Sequence, residues 1–342
     1  MLSRLEKKQL KIFIIVAYGI TFLMGGLMAY GNGRQLDVSA FPNAQMMYPA
    51  AGVMLAYLLT KRKEQKTPTR FFLAFLVLTV FLMGISILSV IVPGNYLQIA
   101  GMNISIWALA VQYAMIVGSI VCWIFYLTSG KEKRKEYGLC WRNSKASVAC
   151  IVLFIALYML RTVISYGISG DMESFFEIVK NPTTWISMAA LAINFFLVFV
   201  AFFGEEYGWR YYLQPLLQKR FGLRGGVIVL GIVWGLWHLP VDFFYYTRPE
   251  MGFAAAASQQ ITCITLGIFF AYAYMKTQNI WVPVILHFLN NNLIPIIVGN
   301  YSVDVLQNQE IHWGQLPMTL VINGLIFGSF LLAKPFRKKE IS

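Results

Sequence analysis

Charge is what this chain has least of. Only 13% of its 342 residues are charged, against 58% hydrophobic, and its mean hydropathy is +0.62. A soluble domain carries about a quarter charged residues and is about half apolar. The shortage therefore excludes a soluble enzyme and predicts an all-α, polytopic helical bundle in a membrane. Cysteine is also scarce. Cys122, Cys140, Cys150 and Cys263 show no CxxC or other metal spacing, so free thiols are expected rather than a zinc ribbon or redox pair. There is no HExxH, no glycine-rich phosphate loop, and no serine or cysteine at a readable spacing from a histidine. These absences remove the helical zinc-peptidase motif, nucleotide chemistry and a nucleophilic triad. Acidic residues are outnumbered 15 to 28, but the basic excess sits between apolar runs rather than on one face, so nucleic acid is not an expected partner.

What is abundant is long apolar sequence. Runs near the roughly 20 residues needed to cross a bilayer lie at Ile12–Tyr30, Ala44–Thr60, Phe71–Val92, Ser105–Leu127 and Ala146–Ile168. Five more follow at Trp185–Phe203, Val227–Tyr245, Ala256–Met275, Trp281–Val298 and Leu316–Ala333. The first exceeds a signal-peptide core and lacks a small-x-small cleavage site, so it reads as a retained span. Basic residues cluster in alternate connections: the N-terminus, Lys61–Arg70 (with Arg62 and Lys63), Lys131–Lys145, Lys219–Arg224, Lys276, and Lys334–Lys339. The intervening connections are neutral or acidic, including Pro93–Ile104, Asp171–Lys180, Asp242–Glu250 and the stretch holding Asp304 and Glu310. Ten spans put every basic cluster on one side, with both termini cytoplasmic. Residues 1–145 carry no chemical motif, and residues 146–342 hold the polar segments of interest. Tyr211–Arg224 mixes aromatic, amide and basic residues and reads as an interfacial amphipathic segment.

A few polar residues sit where they cost most. GEEYGWR, Gly204–Arg210, follows a spanning run directly. A charge at membrane depth costs about 2.5–3.5 kcal/mol on insertion scales, so Glu205, Glu206 and Arg210 require partners or a task. Glu206 and Arg210 are four apart and can pair on one helical face, leaving Glu205 pointing elsewhere. His238, in WGLWHLP, shares a face with Trp234, and Pro240 follows to interrupt the helix. His287, in PVILHFLNNN, shares a face with Asn291. His312 lies in an outer connection, where solvent accounts for it. Arg161 is alone in the fifth span, and a structural role is expected; Gln112 and Asn194 suit interhelical hydrogen bonds.

A glutamate and two histidines permit two chemistries. Glu205, His238 and His287 could hold one divalent metal such as zinc, with water in the open position. Alternatively Glu205 acts as general base on water with His238, while His287 and Asn291 stabilise the oxyanion. A proton relay in a transporter uses the same residue types, although transporters usually show repeated halves and none is visible here.

Taken together, EEYGWR, WGLWH and HFLNN resemble the EExxxR, FxxxH and HxxxN motifs of the CPBP family. This family comprises the type II CAAX prenyl endopeptidases and the Abi proteins of bacteriocin processing and immunity. Trp234 stands where that family usually has phenylalanine. The resemblance covers Trp185–Val298 and implies an intramembrane endopeptidase acting on a membrane-associated peptide or protein in a bacterial cell membrane. It assigns Glu205 and His238 to water activation, Glu206 and Arg210 to holding the site, and His287 and Asn291 to the carbonyl. A non-proteolytic immunity protein and a proton-coupled transporter are the alternatives. The site is expected near the cytoplasmic face. His238 then falls about 18 Å along its span at 1.5 Å per residue, so helix tilt or a deeper Glu205 must bring the two together.

Overall fold

In the computed structural model the chain is described at residues 2–61, 65–92, 94, 96–99, 101–302 and 305–337. The expectations for Arg62, Lys63, Pro93, Asp304, Lys338 and Lys339 lie outside these residues. The protein is an all-α membrane bundle, and each of the ten apolar runs is helical. Among the described residues seven helices are long and apolar enough to cross a membrane, one of them, Pro182–Trp237, containing the sixth run and the first part of the seventh.

The first helix, α1 (Arg4–Gly33), starts at a capping box in which Ser3 and Glu6 exchange hydrogen bonds. α2 (Ala40–Thr60) carries Pro49 in its interior and is buried along most of its length. α3 (Thr69–Ile91) and α4 (Ile106–Thr128) pack together. Between them an uncharged connection forms a small antiparallel hairpin, β1 (Tyr96–Ile99) and β2 (Met102–Ser105), which hydropathy alone does not signal. Ser105 ends the hairpin and caps α4 by accepting from the Trp107 amide.

After the short α5 (Lys131–Glu136) come α6 (Ser144–Ser169) and the amphipathic α7 (Met172–Lys180). α8 (Pro182–Glu206) has proline at its first position and Asn181 as its cap. It does not stop after Glu206. A π-helical turn, Tyr207–Leu213, continues it into α9 (Gln214–Trp237), and the chain reverses at Gly222, whose φ of 75° suits a residue without Cβ. The segment expected to lie at the interface is therefore largely a continuation of this helix. Tyr212, Leu213, Gln214 and Gln218 are buried in it. α10 (Gly252–Thr277) packs along α9, then α11 (Trp281–Asn292), the short α12 (Ile294–Val298) and α13 (Leu316–Ile326) complete the bundle.

Close packing is concentrated where the polar residues lie. A Cβ on Gly204 would come within 2.3 Å of the Met46 carbonyl oxygen, and one on Gly208 within 2.3 Å of the Pro49 side chain. These glycines, four apart, let α8 and its π turn press against α2, as small residues do between membrane helices. Gly231 and Gly235 do the same for α9 against Ile264 and Gln260 of α10. An aromatic cluster of Trp123, Tyr126, Phe199, Phe203 and Trp281 locks α4, α8 and α11 together, with Trp123 and Trp281 stacked at 5.2 Å.

Candidate active site

The turn at Gly222 explains how the site assembles. Glu205 lies 17 residues before it and His238 lies 16 after it. At 1.5 Å per residue each is about 25 Å from the reversal, so the two side chains reach one depth on antiparallel strands of helix. The deeper Glu205, rather than helix tilt, closes the gap that hydropathy left open.

Glu206 and Arg210 form the expected ion pair, with Arg210 Nε 3.1 Å from Glu206 Oε2 and neither side chain exposed. Geometry makes this a charge contact rather than an aligned hydrogen bond, and the two Nη atoms have no hydrogen-bond partner among the described residues. The guanidinium instead lies over Trp234 at 4.6 Å and Phe270 at 5.6 Å. The other oxygen of Glu206, Oε1, is 2.9 Å from His287 Nδ1. Glu206 thus sits between an arginine and a histidine, a link that spacing within one helix could not reveal.

Glu205 points elsewhere. Its Oε2 accepts the indole N–H of Trp234 at 2.7 Å, a bond that the usual phenylalanine could not make. Pro240 shapes the next contact. The helix tightens before it, so the His238 amide donates to Gly235 instead of Trp234. The Trp234 carbonyl is left to accept from His238 Nδ1 at 2.8 Å. A carbonyl only accepts, so Nδ1 carries the hydrogen and Nε2 is the basic nitrogen. Asn291 is oriented in a similar way: Asn290 Nδ2 donates to its Oδ1 at 3.0 Å, leaving its own amide N–H groups free.

Glu205, Trp234, His238, His287 and Asn291 line one cavity of about 260 Å3 together with Asn290. Glu206 and Arg210 do not line it; they stand behind it. Other polar residues on the wall include Asn290 and Asp242, which carried no assigned role in the sequence, and Arg161, for which a structural role was expected. Asp242 is one turn beyond His238, is 1% exposed, and its Oδ2 has no hydrogen-bond partner among the described residues. Among the weaker expectations, Asn194 does bond across helices, to Asn292 at 3.3 Å. Gln112 is exposed with no such bond, and His312 is exposed in its loop.

The cavity does not face the basic connections. Its wall uses the C-terminal ends of α9 and α11, α10 from Ala255 to Phe270, and Leu306, Gln309 and Ile311 of the following loop. That loop is pinned to the chain after α9 by Asn308 and Gln309 amides donating to the Tyr245 and Tyr246 carbonyls. These are the ends bearing the neutral and acidic connections.

The metal reading can be tested on the donors. Nδ1 of His238 is held by a carbonyl and Nδ1 of His287 by Glu206. Among the described residues no three histidine, cysteine, aspartate or glutamate side chains are disposed to hold an ion, so Glu205, His238 and His287 are not a preassembled metal set. The four cysteines are free, Cys263 lying 3.8 Å from His238 Nδ1.

Residues 185–293 match the family model described as type II CAAX prenyl endopeptidase Rce1-like. The match covers about a third of the chain, and this segment is similar to that family. All the residues of its three motifs fall inside the matched span. Among curated proteins, the chain is 25% identical over 209 residues to CAAX prenyl protease 2 of Methanococcus maripaludis, covering 58% of this chain and 76% of that protein. No solved structure matches. Both similarities support a membrane-embedded endopeptidase in the broad sense, and the apolar helices support a multi-pass protein. Arg161 lies outside the matched span.

Proposed function

We propose that this protein hydrolyses a peptide bond of a membrane-associated peptide or protein, with Glu205 and His238 activating the attacking water. One observation carries the reading: three segments far apart in sequence bring Glu205, His238, His287 and Asn291 to the wall of a single buried cavity.

Trp234 occupies one oxygen of Glu205, so the other is available to take a proton from water. His238 Nε2 offers a second acceptor. Two acceptors suit the two hydrogens of one water molecule and leave its lone pair for the scissile carbonyl. As the carbon becomes tetrahedral, charge collects on its oxygen. Asn291, its Oδ1 already engaged by Asn290, presents N–H to that oxygen. His287 donates its Nδ1–H to Glu206, so only as imidazolium does it offer Nε2–H as a second donor. Charge balance supports that state, because Arg210 with His287 then offsets Glu206 with Glu205. The C–N bond breaks when the proton held at Glu205 passes to the leaving amine, and His238 Nε2 takes the remaining proton of the water, giving a carboxylate product and a free amine. No metal enters these steps.

The test is the purified protein in nanodiscs with a panel of membrane-inserted peptides, cleavage being read by mass spectrometry. Wild type should cleave at least one peptide, while Glu205→Gln and His238→Ala should not at an unchanged melting temperature. Retention of the cellular phenotype by both variants would instead indicate a non-proteolytic immunity role, and gradient-driven uptake would indicate a transporter.

A further inference from the structure

Arg161 is an arginine in the middle of α6, where the bilayer makes an uncompensated cation expensive. No ion pair among the described residues includes it. Its guanidinium rests on the ring of Tyr158 at 4.4 Å, and the Tyr158 hydroxyl donates to the Asn290 carbonyl at 3.2 Å. Arg161 is half-buried on the wall of the catalytic cavity. Through Tyr158 it is linked to Asn290, the neighbour of Asn291 on that wall. A planar guanidinium, backed by an aromatic ring and open to a peptide-sized space, is suited to a carboxylate, which it can hold with two parallel hydrogen bonds.

We infer that Arg161 is a specificity subsite that docks a carboxylate of the peptide substrate beside the carbonyl held at Asn291. The identity of the ligand as a peptide rests on the proteolytic reading above. The carboxylate has two possible sources, the peptide's C-terminus or an acidic side chain close to the scissile bond. Both bring a carboxylate to the oxyanion end of the site, so the leaving-group side of the substrate would be selected by charge in an otherwise apolar cavity.

The experiment measures binding apart from turnover. The full chain carrying Glu205→Gln, in nanodiscs of zwitterionic lipid, is titrated with a labelled apolar decapeptide read by fluorescence anisotropy. The probes are its free acid, its C-terminal amide, and an amide bearing one Asp or Asn near the C-terminus. A charge-assisted hydrogen bond is worth about 1.5–3 kcal/mol, or about ten- to a hundredfold in affinity. The probe with a carboxylate should therefore bind at least tenfold tighter than its neutral match. Arg161→Gln should abolish the preference, and Arg161→Lys should restore part of it. A gain from the free acid assigns the C-terminus, and a gain from Asp over Asn assigns a side chain. Equal binding of charged and neutral probes, no binding of any, or a preference surviving in Arg161→Gln would overturn the subsite. So would an Arg161-dependent response to anionic lipid in place of peptide charge. Cleavage by the wild-type chain without carboxylate preference would end the subsite but leave proteolysis standing; charge-dependent binding without any cleavage would do the reverse.

Discussion

Trp234 touches more of the candidate site than any acidic or basic residue does. Its indole N–H holds Glu205, its carbonyl holds His238, and its ring carries Arg210. Trp234→Phe keeps most of the apolar contact and removes one hydrogen bond to a charged group, worth about 1.5–3 kcal/mol. We expect kcat to fall about ten- to a hundredfold with little change in melting temperature, measured on whichever peptide proves to be cleaved. An unchanged kcat would mean that Glu205 needs no such anchor. Asn290→Ala tests the second orienting bond: it should lower the rate by misdirecting Asn291, and Asn290→Asp, which cannot donate when ionised, should do no better. Chelator treatment should leave the rate as it was. A loss reversed by added zinc would show that Glu205, His238 and His287 rearrange around an ion.

At the scale of elements, the π turn and the two glycine pairs set the geometry. A side chain at Gly208 would meet the backbone and ring of Pro49, neither of which has a flexible end to move aside. Gly208→Val should cost about 1–3 kcal/mol from overpacking, read as a lower midpoint in thermal unfolding. It should also reduce activity beyond what the stability loss explains, because Glu205 and Glu206 ride on the same turns. Wild-type activity in Gly208→Val would separate the packing of α2 from the position of the carboxylates. Gly222 matters for a different reason, since the length of helix on either side of it matches Glu205 to His238 in depth.

For the whole molecule, charge and cavity make a joint prediction about sidedness. Reporter fusions after Arg134 should report cytoplasm and those after Glu173 the outside, following the basic clusters. The cavity wall at Gln309 then belongs to the outer side. In intact cells, Gln309→Cys on a background of Cys140→Ser should react with a membrane-impermeant thiol reagent, the three remaining cysteines being buried. Labelling only after the cells are opened would invert this arrangement and put the cavity mouth in the cytoplasm.

The sequence by itself determined the class of molecule and singled out the candidate site residues. Scarce charge and ten apolar runs leave only a helical membrane bundle, because backbone groups in lipid must be satisfied within each segment. Glu205, Glu206, Arg210, His238, His287 and Asn291 stand out because membrane burial makes each of them costly, and the Glu206–Arg210 pair follows from helical spacing. The tertiary structure decided how those groups face one another. Spacing describes one helix at a time, so it could not link Glu206 to His287 or Trp234 to Glu205. Hydropathy ends a span at its first polar residues, so it stopped the sixth one at Phe203 when packing against α2 carries the helix on to a turn at Gly222. That displacement sets how far Glu205 lies from the turn, and so its match to His238. None of these is local, because each depends on which buried surfaces of neighbouring helices fit together.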